Sequence, residues 1–262
     1  MAPAVHRMAR VIANPRSVAG IAFILASAFS GPAARAAEPP PDLARRVAAI
    51  ETRNRDDRGN FTYRQTVTVE EMPGRGAPGG RFHEVRDIIF SPGGGRVEQV
   101  IGSPVRALNR LRLTEEDFRD IREIQPFLFT SDQLWSYQVR YKGEEPMDGF
   151  DCWVLEVRPR QVLDGQRLFD GVLWVSQKDL AVVRSEGKAV PDVLSTKTEN
   201  LFPRFTTLRE KVDGEHWFPV TTLAEDTLAF RSGPLRMRMK IEYSNYKRFK
   251  AESTIEFKED KR

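Results

Sequence analysis

Hydrophobic and polar positions alternate with a period of two over most of this chain. Phe61, Tyr63, Val67 and Val69 alternate with Thr62, Arg64, Thr66 and Thr68, the pattern of a strand that buries one face. Further strands are predicted near Phe82–Phe90 and at Arg96–Ile101, joined across a Ser-Pro-Gly-Gly-Gly turn at 91–95. A long run follows at Trp135–Tyr141, Phe150–Arg158, Arg167–Ser176, Ala181–Val190, Leu201–Val212, His216–Asp226 and Leu235–Tyr243, with turn residues such as Asp148-Gly149 and Asp213-Gly214 between strands. The last strand alternates most strictly. Leu235, Met237, Met239, Ile241 and Tyr243 point one way, and Arg236, Arg238, Lys240 and Glu242 the other, so a one-residue slip would bury four charges.

Two stretches change to the helical period. Leu43, Val47 and Ile50 fall on one face of a short helix that Asp42 is placed to cap, with Arg45, Arg46, Glu51 and Arg53 on its polar side and a stop in the polar run 54–60. The second helix starts at Thr114, three residues before Asp117, in the spacing of a capping box. Glu115, Glu116 and Asp117 sit in its first turn, where the backbone dipole favours negative charge. Phe118, Ile121 and Ile124 form its apolar stripe, and Pro126 ends it. Strand signals at short, regular spacing with two small helices predict a mainly β (α+β) protein built on an antiparallel sandwich or barrel.

Before these elements the chain carries an export leader. Arg7, Arg10 and Arg16 precede an apolar run from Val18 to Phe29, and Ala34-Arg35-Ala36 supplies the small residues of a cleavage site, predicted between Ala36 and Ala37. The apolar run is shorter than the ~20 residues a spanning helix needs. No cysteine stands near the site for lipid attachment. The predicted organisation is a cleaved signal peptide (1–36), a Pro-rich linker (37–41), one domain (42–250) and a charged tail (251–262), with the mature chain in the periplasm and no transmembrane helix in it.

Charge then narrows the partners. Without the leader's four arginines the 41 basic residues fall to 37 and equal the 37 acidic ones. A neutral chain argues against nucleic-acid binding, which needs an excess of Lys and Arg. Cys152 is the only cysteine, so no internal disulfide forms, and its apolar setting beside Trp153 reads as a buried small hydrophobe.

No catalytic or metal motif is present. His83 and His216 lie far apart and outside any metal-ligand spacing. There is no nucleophile elbow, phosphate-binding loop or dinucleotide fingerprint, and Gly93-Gly94-Gly95 lacks a following Lys-Ser/Thr. The acid pairs Asp148/Asp151 and Glu225/Asp226 fit local turn and surface roles. No cofactor is expected. What remains is a large set of aromatics in the strands, Trp135, Trp153, Trp174 and Trp217 among them, most of which read as core.

Two segments, Met147–Pro159 and Gly171–Arg184, resemble the periplasmic lipoprotein-sorting proteins of the LolA/LolB-like group, and Asp213–Pro219 and Tyr243–Phe249 resemble segments common in uncharacterised exported members. The order of elements over residues 42–250 resembles that group too. The Gly/Pro loop at 73–80 departs from the group's pattern, and no residue here matches its cavity arginine. The resemblance implies one antiparallel curved sheet forming a half-open β-barrel, with two short helices across its concave face and an apolar cavity for acyl chains. It implies a non-catalytic periplasmic carrier or sensor whose partner is a lipid or an acylated protein. Trp153, Trp174 and Met237 are the expected cavity-facing residues. The alternatives are a scaffold or envelope-stress sensor holding a protein partner on the same fold, an outer-membrane β-barrel, and a hydrolase.

Overall fold

Ten strands form one antiparallel sheet whose order follows the chain with a single break. In chain order the strands are β1 (Phe61–Glu71), β2 (Arg81–Phe90), β3 (Arg96–Ala107), β4 (Tyr137–Met147), β5 (Phe150–Pro159), β6 (Leu168–Ser176), β7 (Val182–Val190), the two-residue strands β8 (Val193–Leu194) and β9 (Glu199–Asn200), β10 (Phe205–Val212), β11 (His216–Phe230) and β12 (Gly233–Arg248). The sheet order is β3-β2-β1-β12-β11-β10-β7-β6-β5-β4, and β8 pairs only with β9. This computed structural model describes residues 38–72, 79–90, 95–194 and 199–248. The predicted leader with its cleavage site at Ala36 and Ala37, most of the Gly/Pro loop, most of the 91–95 turn and the charged tail lie outside the described residues.

First and last strands pair in mid-sheet, Val67 opposite Ile241 and Val69 opposite Met239. β3 and β4, consecutive along the chain, stand at opposite edges. The sheet is therefore a barrel left open between those two edges, and the chain between them holds α2 (Glu115–Arg119), a π-helical turn (Asp120–Ile124) and a 3₁₀ turn (Leu134–Ser136). The longer helix α1 (Leu43–Arg58) precedes β1. α1 and the 121–129 segment bury side chains in one cluster with one face of the sheet: Val47 and Ala48 of α1, Ile121 and Phe129, and Val67, Leu173 and Ile241 of the strands. The outer-membrane barrel is thus not the fold formed. A membrane barrel keeps its apolar band outside and a polar interior, whereas here the sheet is unclosed and its helix-covered face is the apolar one. No helix among the described residues is long and apolar enough to cross a membrane.

The predicted alternation of β12 is found. Leu235, Met237, Met239, Ile241 and Tyr243 are buried and the four charged residues between them are exposed. The second helix starts as predicted, with the Thr114 hydroxyl accepting from the Asp117 N–H and the Asp117 carboxylate accepting from the Thr114 N–H. Aromatic stacking fills the middle of the core, where Phe127 lies on Phe169 with ring centres 4.5 Å apart. Such a pair adds about 0.5–1.5 kcal/mol to its burial. Gly171 and Gly187 face each other across β6 and β7, and a methyl at either would run into the Phe169 ring.

Four local expectations need correction. Asp42 has φ 57° and makes no side-chain cap bond, because it adopts the left-handed region rather than the extended one a cap requires. Glu51, placed on the polar side of α1, is fully buried. Its carboxylate accepts from Arg209 Nη1 at 2.6 Å, and the same guanidinium donates to the Phe127 carbonyl. Trp135 lies in the 3₁₀ turn, not in a strand, and is 72% exposed. Leu201–Arg204 are not strand, and Phe202 is buried under the Arg167 guanidinium, 3.8 Å from the ring centre.

Candidate functional site: an open groove at the β2–β3 end

Most of the helix-covered face is filled, but its β2–β3 end is not. Phe82, Glu84, Arg86, Ile88 and Phe90 alternate along β2, with Phe82, Glu84 and Ile88 buried. In the paired strand, Arg96 lies opposite Phe90, Glu98 opposite Ile88 and Arg106 opposite Phe82, so these side chains share one face. The charges on that face form a ladder. Arg106 pairs with Glu84 at 2.9 Å, Glu84 and Glu98 both pair with Arg86, and Glu98 also pairs with Arg96 at 2.8 Å. Burial raises the Glu98 carboxyl, but Arg96 and Arg86 outweigh it and hold the group below its ordinary value. Glu84 is 1% exposed, which is tolerable only because two arginines share it.

The other wall is set by one carboxylate. Glu71, at the end of β1 and 5% exposed, accepts backbone N–H bonds from Gly80 (3.2 Å), Asn109 (3.0 Å), Arg110 (2.6 Å) and Leu111 (2.6 Å). Burial pushes its carboxyl up, yet the four donors prevail and hold it below the ordinary value. Gly80 is required at this junction, since a methyl there would overlap the Glu71 carboxylate and the backbone of residues 107 and 109. The clasp folds the chain after β3 back over the sheet. It sets Leu108, Leu111 and Leu113 beside the groove just before the Thr114 cap, and α2 brings Phe118 to the same place.

Phe82, Leu108, Leu111, Leu113 and Phe118 line an open cavity of about 440 Å³, whose rim is Arg86, Arg106, Glu115 and Arg122. The Arg86 guanidinium stands 5.1 Å from the Phe118 ring centre. A second cavity of about 460 Å³ is lined by Arg58, Phe90, Arg96, Glu98, Arg122 and Glu123, so Arg122 belongs to both. Both volumes are within the range of small-molecule sites.

The three residues expected to face a ligand are not gathered at this groove. Trp153 and Met237 are packed into the main core, 6% and 4% exposed. Trp174 lies on the opposite face of the sheet, where it donates to Glu145 at 3.0 Å, carries the Arg184 guanidinium at 4.9 Å and packs with Cys152, Val154 and Trp217. Cys152 is buried, and burial with three nearby carboxylates pushes its thiol up to about 11. His83 bonds Thr68 at 3.0 Å, and His216 stacks on Phe218. Asp148 takes the left-handed conformation of its turn, and Glu225 is held by Arg236 and Arg238. Among the described residues no cluster of three or more His, Cys, Asp and Glu side chains is placed to hold a metal ion. Sequence reasoning passed over Glu71, Arg86 and the leucines at 108, 111 and 113. The one local signal for them is three leucines within six residues, just before a capped helix, with no strand or helix to bury them.

Fold and site together define a half-open antiparallel barrel with an apolar groove and a charged rim at its β2–β3 end. Solved structures similar to the chain include a DUF1329 family protein from Desulfovibrio piger (16% identity, 82% of this chain and 96% of that chain, TM-score 0.39). An outer membrane lipoprotein-sorting protein domain from Vibrio parahaemolyticus is also similar (12% identity, 75% and 90%, TM-score 0.38), as is a LolA superfamily protein from Nitrosomonas europaea (16% identity, 77% and 94%, TM-score 0.34). No protein-family model and no curated protein matches the chain. The site is therefore assigned from this chain's own side chains.

Proposed function

We propose that the protein is a non-catalytic periplasmic carrier or sensor that holds the hydrocarbon part of a lipid, lipoprotein acyl chain or other amphiphile in the groove at the β2–β3 end. The observation that carries this reading is the open cavity of about 440 Å³ with an apolar wall of two phenylalanines and three leucines. Each methylene moved from water onto that wall contributes about 0.8 kcal/mol. An empty apolar surface facing solvent is itself costly, so a wall kept apolar favours an apolar occupant. The export leader at 1–36 and the single domain over 42–250 belong to the same proposal.

Displacement of a fluorescent fatty acid tests the groove. Phe118→Asp and Leu111→Asp should abolish binding while Thr68→Ala, whose side chain is on the other face of the sheet, leaves it intact. A wild-type protein that binds no amphiphile and yields no lipid by native mass spectrometry would refute the proposal. Recovery from an osmotic-shock fraction with an N-terminus at Ala37 tests the location. A protein-holding scaffold is the second reading, supported by two long unpaired edges: β3, which exposes Val97, Val100 and Val105, and β4. Recovery of one protein partner without lipid would favour it.

A further inference from the structure

We infer that the groove selects a single-chain amphiphile with an anionic head group, its chain against the leucine and phenylalanine wall and its head in the second cavity among Arg58, Arg96 and Arg122. This rests on the amphiphile reading and adds the chemistry of the head group.

The two cavities differ in how much apolar surface they carry and share one residue. The first has five apolar side chains with Arg86, Arg106, Glu115 and Arg122 at its rim, and the second has three arginines, two glutamates and Phe90 alone as apolar lining, with Arg122 common to both. An amphiphile suits that arrangement: an apolar wall beside a compartment lined almost wholly by charged side chains, with Arg122 reaching both. The charges in the second compartment do not cancel. Glu98 is already shared between Arg96 and Arg86. Arg122 is paired with Glu115, whose carboxylate is 81% exposed and so screened by water. Arg58, the last residue of α1, makes no ion pair among the described residues. Arg96 donates to Glu98 and to the Tyr63 hydroxyl at 3.0 Å, while its Nη2 is buried with no acceptor among the described residues. Against Glu98 and Glu123 the lining sets Arg58, Arg96 and Arg122, one positive charge in excess, and Arg58 is outside any ion pair among the described residues. Planar guanidinium groups match carboxylate and phosphate oxygens in pairs, so a carboxylate or a monoester phosphate is the complementary head.

The test is binding by isothermal calorimetry of the full mature chain to four monomeric amphiphiles of matched chain length: a fatty acid, a lysophosphatidic acid, a monoacylglycerol and a lysophosphatidylcholine. Inorganic phosphate serves as competitor. The two anionic ligands should bind about tenfold or more tightly than the neutral and zwitterionic ones, and only theirs should weaken as salt rises. The better of the two anions names the head. Arg58→Gln and Arg122→Gln, both at partly exposed positions, should each cut affinity for the anions about tenfold and leave monoacylglycerol unchanged. Equal affinity for all four would overturn the head-group inference and leave the amphiphile reading intact. Binding of none would overturn that reading. Full displacement by millimolar phosphate would mean a free-anion site and overturn the inference as well.

Discussion

Replacing Glu71 with glutamine should both destabilise the protein and open the groove. The carboxylate now satisfies four buried or half-buried backbone donors. A glutamine amide keeps one oxygen and turns an NH₂ group toward the donors on the other side, so about two of them lose their acceptor. Each such loss costs about 1–3 kcal/mol, giving about 2–6 kcal/mol in all, a large part of a total stability of about 5–15 kcal/mol. At ~2–4 °C per kcal/mol for a domain of this size, the melting midpoint should fall by about 4–24 °C. Urea unfolding followed by tryptophan fluorescence measures the difference, and pH tests its origin. The Glu71 carboxyl is held below its ordinary value of 4.5 in the folded state. Its contribution is therefore complete above that value and is lost as pH falls through the lower, folded one. The gap between wild type and Glu71→Gln should narrow as pH drops from 7 toward 3. A gap of constant size, or none at pH 7, would refute the clasp. Fatty-acid binding should weaken alongside, since Leu108 and Leu111 hang on the same contact.

Three further outcomes are expected. Glu51→Leu leaves Arg209 buried without its partner and should cost about 3–5 kcal/mol, while the double change Glu51→Leu/Arg209→Met should be closer to wild type than Glu51→Leu or Arg209→Met alone; urea unfolding of the three variants decides this. Cys152, buried with its thiol raised to about 11, should resist iodoacetamide at pH 8 in the native protein and react in denaturant, as mass spectrometry would show. Gly187→Ala should cost about 1–3 kcal/mol by driving a methyl into Phe169, read as a fall in the thermal midpoint.

Much of the fold is legible in local pattern. The alternation of β12 fixes which of its residues are buried, because the strand pleat repeats every two residues and one wrong register would bury four charges. The second helix announces itself by Thr114 and Asp117, whose bonds close within four residues. Cys152 reads as buried from its apolar neighbours. The site is less legible. Glu71 ends a strand and Glu51 sits among charged helical neighbours, so both look solvated. Their acceptors' partners lie at residues 109–111 and 209, and nothing local marks those pairings. Trp153 and Trp174 are both aromatic strand residues, yet their strands turn them to opposite faces, which composition cannot distinguish.

The sequence by itself determined the period of most strands and of α1, the capped start of α2 and the absence of metal-ligand spacing, since these depend on contacts within a few residues. Only the tertiary structure decided where the barrel stays open, because the gap between β3 and β4 follows from the pairing of β1 with β12 across the whole chain. It also decided which charges are buried. A buried carboxylate is tolerated only where distant donors converge on it, and the groove exists because four backbone N–H groups converge on Glu71.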